Sequence, residues 1–449
     1  MTASRSRILR LPAGFSGPTL LAGGVVLAVA VASFMRAPLL PDIGRDLRLT
    51  AADIAMITTA FALGRLVMDL PAGRIADGLP PGRALAGTGV GVAVSAALLA
   101  GAGTFAQALI GVFFLGVASA LTNTTGMTLF AVSAPPERRG VAMAGFSMAL
   151  MTGQTLGPAV GGTIAGVAGW RAAQGVAALI GVGVFAACLL VPAGRARRPA
   201  EAAGAGGSAG DAARAAPAAG AGAGPPPADG GRAARADEAG RAPADGGRAA
   251  PADADGRGAA QSAGLSRSQA AVLAAVPFAV FFTLSALPQT LLPVIGSSEL
   301  ALSTATIGLA LGAGGVARFG GSALAGAVSD RVSRKAALVP SLLGMAVGVV
   351  ILVPSPSFAT WLAAIVLLSV ASSGIAVAAT IIADRVPAAT VGRRLGTFRF
   401  TGDFGLLAGP AVTGLLYQHS GREAAMLLTA GVLAACALAA GLLIAEPRG

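Results

Sequence analysis

Charge is scarce in this chain: only 12% of its 449 residues are Asp, Glu, Lys or Arg, about half the usual share of a soluble globular domain. A soluble fold of that composition lacks a polar shell and is excluded. Cysteine occurs twice, as Cys188 and Cys436, each within an apolar run, so a disulfide framework is excluded as well. His419 is the sole histidine, which leaves neither a metal cluster nor a catalytic triad, and no enzyme, metal or cofactor is expected. Lys335 is the sole lysine. The formal charge of +12 therefore rests on arginine without interleaved aromatics, which is not a nucleic-acid face. Gly312–Ala317 matches a dinucleotide fingerprint in spacing, yet it lies in an apolar run with no strand before it, so it is rejected. No phosphate loop occurs, and direct ATP drive is unsupported.

What is abundant is apolar surface, at 55% of residues. Twelve apolar runs centre near residues 28, 63, 94, 118, 154, 180, 282, 316, 345, 370, 406 and 434, each about as long as a bilayer crossing requires. The expected fold is an all-α membrane protein of twelve transmembrane helices. The first run follows Arg5, Arg7 and Arg10 and continues to Leu40, too long for a cleaved signal peptide. With alternating spans and an inner N-terminus, the inner segments outside the central loop hold Arg5, Arg7, Arg10, Arg74, Arg83, Arg138, Arg139, Arg331, Arg334, Lys335, Arg385, Arg393, Arg394 and Arg448. The outer segments hold only Arg36, Arg45, Arg48, Arg171 and Arg422. This positive-inside bias places both termini in the cytoplasm, in a bacterial-type inner or plasma membrane. Trp170, Trp361 and Tyr417 fall at outer span ends, where an interfacial aromatic belt is expected.

Residues 193–267 are Ala, Gly, Pro, Arg and Asp with almost no large apolar side chain; such a segment is expected to be a disordered cytoplasmic linker. It separates an N-terminal bundle, 1–192, from a C-terminal bundle, 268–449. The two repeat each other at an offset of about 252 residues. Leu39–Gly44 returns as Leu291–Gly296; Arg65, Gly73 and Asp77 return as Arg318, Gly326 and Asp330; Gly157–Gly162 returns as Gly409–Gly414. Two similar six-helix halves are a design associated with rocking of one half against the other.

These residues resemble the major facilitator superfamily of secondary transporters. Its loop signature after the second span of each half is a Gly, three residues, an Asp, a basic residue, then Gly and further bases. The second copy here is Gly326, Asp330, Arg331, Arg334 and Lys335, with Ser333 in place of Gly; the first is Gly73 and Asp77, followed by Gly78 and a displaced Gly82-Arg83. The fifth span carries Gly153, Gly157, Pro158, Gly161 and Gly162, similar to the antiporter motif of the family's drug exporters. The resemblance implies that Asp77 and Asp330 latch the inner end by facing the N-termini of helices 11 and 5, and that helices 1, 4, 7 and 10 line a substrate cavity.

Small residues at every fourth position of span 5, from Gly145 through Gly153, Gly157 and Gly161 to Gly169, allow close helix approach. Packing alone accounts for such a ridge; a sliding seam between the halves, with Pro158 bending the helix, is the functional reading. Span 11 repeats it through Gly405, Gly409 and Pro410.

Charges within spans are costly and mark function by default. They are Arg65 and Asp69 in span 2, Arg318 in span 8, and Arg399 and Asp403 in span 11. Spacing of four residues allows pairing within each helix, and if spans 2 and 11 adjoin, the four form one cluster at the cytoplasmic gate. Asp403 and Asp69 are the proton-carrier candidates, with a structural ion pair as the alternative. Arg318 stands level with Gln154. The Arg that the family's exporters often carry four residues before a Gly in helix 4 is here Val112, before Gly116.

The polar residues of the cavity spans are few. Arg36 attracts an anion if it faces the cavity, and Asn123, Gln154 and Gln289 are further substrate candidates, whereas the Ser and Thr hydroxyls are expected to bond their own helices. With 4% aromatics, sugar recognition is disfavoured and a small apolar or amphipathic solute fits. The leading expectation is a monomeric, proton-driven exporter embedded in the lipid bilayer. The alternatives are a proton-coupled uptake symporter and a transporter-like receptor or scaffold.

Overall fold

The computed structural model describes residues 17–135, 138–190, 266–354, 357–386 and 388–444. The linker expected at 193–267 lies outside the described residues up to 265, as do Arg5, Arg7, Arg10 and Arg448, and the side chains of Asp77 and Arg393. Among the described residues every regular element is helical. In order they are α1 (Thr19–Asp46), α2 (Ala51–Gly78), α3 (Pro81–Ala100) and α4 (Phe105–Ser133). The helical stretch Arg139–Leu190 is broken at Gly169 into α5 (139–168) and α6 (170–190). Then follow α7 (Arg267–Ser298), α8 (Thr304–Arg331), α9 (Arg334–Val350) and α10 (Phe358–Arg385). Ala388–Leu443 is broken at Gly421 into α11 (388–420) and α12 (422–443).

Nine described helices are long and apolar enough to cross a membrane by length and composition. Two of these contain the breaks at Gly169 and Gly421, and α9, with 17 residues, is slightly shorter than the others. The twelve expected spans are therefore all present. Both breaking residues have positive φ, 83° and 81°, with ψ 162° and 178°, an extended conformation that essentially only glycine adopts. Helix starts repeat at the same offset as the motifs: Thr50 and Ser303 cap α2 and α8, and Thr104 and Ser357 cap α4 and α10.

The buried apolar side chains form two clusters. One comprises residues of 22–188 together with Val294, the other residues of 272–444 together with Ala37. Outward-facing Leu179, Val182, Leu438 and Leu442 are exposed, as lipid contact demands. Within the clusters the glycine ridges do not form the seam between halves. A Cβ on Gly153 would stand 2.5 Å from the Leu27 carbonyl, and one on Gly157 2.8 Å from that of Val31; Gly161 likewise abuts Met35. Gly405 and Gly409 abut the Phe278 and Phe282 carbonyls of α7. The ridges thus bind α5 to α1 and α11 to α7 inside each half, and both helices remain helical through Pro158 and Pro410. The seam is the adjacent face: Thr155, the Pro158 carbonyl, Ala159 and Gly162 of α5 against Gly308, Gly312 and Gly315 of α8. Periodicity placed the small residues on one face of each helix, but two neighbours compete for a helix, and the ridge took the permanent one.

Three helices are interrupted within their length. α1 passes through a 3-10 turn at Ala37–Leu39 with Pro38, α7 through a π turn at Leu287–Leu291 with Pro288, and α10 through a 3-10 turn at Ser372–Gly374. Proline removes a helical N–H and clashes with the preceding turn, so the first two breaks follow from local sequence.

Candidate functional site: the charged interior between the halves

The end of the bundle carrying the α1–α2 and α7–α8 connections is called outer here, after the arginine asymmetry. It is held by several contacts between the halves. Thr304 Oγ1 donates to Asp42 Oδ2 at 2.5 Å, the Ala52 amide donates to Gln418 Oε1 at 3.0 Å, and α5 meets α8 at Gly162 and Gly308. Toward the inner end, Gly73, Gly320, Gly326 and Gly396 have open space where a Cβ would stand. The halves are thus in contact at the outer end.

The four charges of α2 and α11 do converge. Arg399 Nη2 lies 3.5 Å from Asp69 Oδ1, and Arg65, Asp69 and Arg399 all act on Asp403. Pairing is between helices and not along them: Arg65 Nη1 turns to Ser119 Oγ on α4 at 3.3 Å, so the four-residue spacing within α2 is not used for an ion pair. Asp69 Oδ2 and Arg65 Nε are buried without hydrogen-bond partners. Two carboxylates and two guanidinium groups at one interface are balanced in charge, and loss of either carboxylate charge leaves an unmatched cation.

Arg318 on α8 donates from Nη1 to Gln154 Oε1 at 3.4 Å, across the seam, and has no acidic partner among the described residues. Asp330 does not reach α5. It accepts from Arg334 Nη1 at 3.1 Å, and Arg334 Nε lies 3.3 Å from Asp384 at the inner end of α10. The loop motif is thus bound to its own half. Arg83 and Arg331 are exposed and Lys335 is half-buried.

Arg36 lies at the break of α1 and is 1% exposed. Its Nη1 donates to the Ser33 carbonyl at 2.5 Å and its Nη2 to Gln289 Oε1, at the break of α7, at 3.4 Å. The guanidinium sits 3.8 Å from the Phe61 ring centroid, and Nε has no partner. A desolvated cation–π contact contributes about 2 kcal/mol, which leaves much of the several-kcal/mol cost of burying an ion unmatched. Asn123, one turn beyond Ser119 on α4, is half-buried and makes no side-chain hydrogen bond among the described residues. Most cavity hydroxyls bond their own helix, as Thr122, Thr283 and Ser372 do; the Ser33 and Thr125 hydroxyls are buried without partners. Val112 is fully buried in the core. A groove of about 470 Å³ lined by Val94, Leu98, Gln107 and Ile110 is apolar and lies apart from all of these charges.

The tryptophans are not an interfacial belt. Trp361 is fully buried and donates to the Leu292 carbonyl at 3.0 Å; Trp170 is 6% exposed and donates to Asp46 Oδ2 at 3.2 Å. Trp170 belongs to a clamp that none of the sequence motifs includes. Arg171 pairs with Asp46 and donates to the Ala102 carbonyl, tying the outer ends of α1, α3 and α6. Arg422 pairs with Glu299 and donates to the Val353 carbonyl, tying α7, the end of α9 and α12, with Tyr417 also donating to Glu299. The signal was present, since these residues recur at the repeat offset.

The model of the Major Facilitator Superfamily matches residues 22–294 and 270–449. The multidrug resistance protein MdtG of Yersinia enterocolitica is 36% identical over 111 residues, which are 25% of this chain and 27% of that protein. MdtG of Salmonella arizonae is 35% identical over 113 residues, 25% of this chain and 28% of that protein. The matched stretch thus spans about a quarter of these relatives' length. A bacterial homologue of the human lysosomal transporter Spinster, solved in an inward-facing, occupied conformation, superposes with a TM-score of 0.71 at 14% identity, covering 96% of this chain and 97% of its own. The human organic anion transporter MFSD10 superposes with a TM-score of 0.57 at 16% identity, covering 95% and 100%.

Proposed function

The chain belongs to the Major Facilitator Superfamily, and from that premise we propose that it is a proton-driven exporter of small apolar or amphipathic compounds, working by alternating access in a bacterial-type cell membrane with both termini in the cytoplasm. That it is a multi-pass membrane transporter and not an enzyme follows from the family and the fold. Export is supported by the local similarity to MdtG and by the antiporter-like glycines of α5.

The observation that carries proton coupling is the placement of Asp69 and Asp403 together with Arg65 and Arg399 where α2 crosses α11. Protonation removes a carboxylate's charge and with it the attraction that holds the partner arginine. At a contact between the halves, that change alters how firmly they close. Arg65 reaches α4 from α2, so a guanidinium is present at α4 although Val112 occupies the position where exporters often carry Arg. Asp403 and Asp69 are the carriers in this reading. In proteoliposomes with an imposed pH gradient, an amphipathic dye is expected to move uphill toward the acidic side. Asp403→Asn and Asp69→Asn are expected to lower uphill movement sharply while leaving downhill exchange. Unchanged gradient-driven movement in both variants excludes these carriers, and movement toward the alkaline side identifies an uptake symporter.

A further inference from the structure

The geometry points to an anion subsite at Arg36, where the breaks of α1 and α7 meet: it takes the carboxylate, sulfonate or phosphate group of an amphipathic solute. This inference rests on the transporter reading and specifies its substrate class.

Four arginines stand on the spans where the halves face each other. Arg65 and Arg399 are balanced by Asp69 and Asp403; Arg318 is half-exposed and rests on Gln154. Arg36 alone is enclosed, and the charged group that acts on it is Arg65, another cation. A guanidinium offers five N–H donors in a planar fork matched to an anion's oxygens, and here only two bonds are made, one of them long. The groups left unsatisfied around it are of one chemical kind. Arg36 Nε is buried without a partner, as is the hydroxyl of Ser33, the residue whose carbonyl the guanidinium already touches. Each can donate to an anion, and no carboxylate among the described residues pairs with either. The Phe61 ring lies 3.8 Å from the fork, so the surroundings of the guanidinium are apolar on that side. Interrupted helices facing each other between two transporter halves are also where substrate sites form.

The test is a binding measurement without a gradient, using the full chain in phosphatidylcholine nanodiscs. Equilibrium dialysis compares 1-naphthalenesulfonate, 1-naphthalenemethanol and 1-naphthylmethylammonium, which share an apolar body. The wild-type chain is expected to bind the sulfonate about tenfold more tightly than the alcohol, the discrimination typical of a charge-assisted pair, and the ammonium least. Arg36→Gln is expected to remove the sulfonate preference and leave alcohol affinity unchanged. Ser33→Glu places a carboxylate beside the guanidinium, stabilises the buried charge and is expected to abolish the preference in a chain that folds. Equal affinities in the wild-type chain, or a preference that survives either substitution, overturns the subsite. Displacement of the sulfonate by added phosphatidylglycerol overturns its assignment to a solute and gives it to a lipid headgroup. Loss of anion preference leaves proton-driven export standing, and failure of uphill transport leaves the subsite standing.

Discussion

Gly162 and Gly308 oppose each other where α5 crosses α8: a Cβ built on either would lie 2.8 Å from the Cα of the other. No side chain fits there while the outer end is closed. Gly162→Val and Gly308→Val are each expected to hold the outer end apart and to reduce transport to background. Spin labels on cysteines at positions 48 and 298 should report a longer distance in both variants. An unchanged distance would mean that the seam tolerates a wider approach. Thermal stability should change little, since each half keeps its own buried cluster.

The two outer clamps differ in exposure and should differ in worth. Asp46 and Arg171 are 45% and 46% exposed, and such a pair contributes about 0.5 kcal/mol. Arg422 and Glu299 are 15% and 26% exposed, so truncating one partner leaves a poorly solvated charge, at a cost of about 2 kcal/mol or more. Thermal unfolding should therefore show Arg422→Ala to be the more damaging. The double reversal Glu299→Arg with Arg422→Glu should recover part of that loss.

Gly169 and Gly421 are required by backbone conformation. Neither meets a neighbour within 4 Å, so crowding is not the issue, yet alanine at φ near 80° costs about 1–2 kcal/mol. Gly183 and Gly431 also have open space, with ordinary helical backbone, where alanine gains about 1 kcal/mol. Opposite shifts of the unfolding midpoint are expected for the two pairs, and equal shifts would refute the conformational argument.

Asp69 and Arg399 act as one unit across α2 and α11. Asp69→Asn and Arg399→Gln should each lower gradient-driven transport by about tenfold, and the double variant should be no worse than the poorer single, because contacting residues are not additive. Full additivity in transport rates would show that the two side chains act separately.

Much of this was legible before any coordinates. Twelve spans follow from hydropathy, because a bilayer demands apolar length whatever the tertiary packing, and the internal repeat follows from Leu39–Gly44 and Gly157–Gly162 alone. The convergence of Arg65, Asp69, Arg399 and Asp403 required only that α2 and α11 adjoin. Partner choice was not legible. The glycines at 153, 157 and 161 identify a small face without saying whether α1 or α8 fills it, and Arg65 had Asp69 one turn away yet bonds Ser119. Trp361 sits at a span end, where an interfacial ring and a buried one look alike in sequence; only the fold brings the Leu292 carbonyl to its indole N–H. The clamps are hidden in sequence because Arg171 and Arg422 look like loop charges, and their acidic partners lie more than 120 residues away.

Arg36 and Gln289 meet across the breaks of α1 and α7, yet they are not equivalent residues: the register that carries Leu39–Gly44 onto Leu291–Gly296 sets Pro288 opposite Arg36. The second half therefore brings no arginine of its own to this place, and the two halves never set like charges against each other there. The charge is single, supplied by one half and held by an amide of the other.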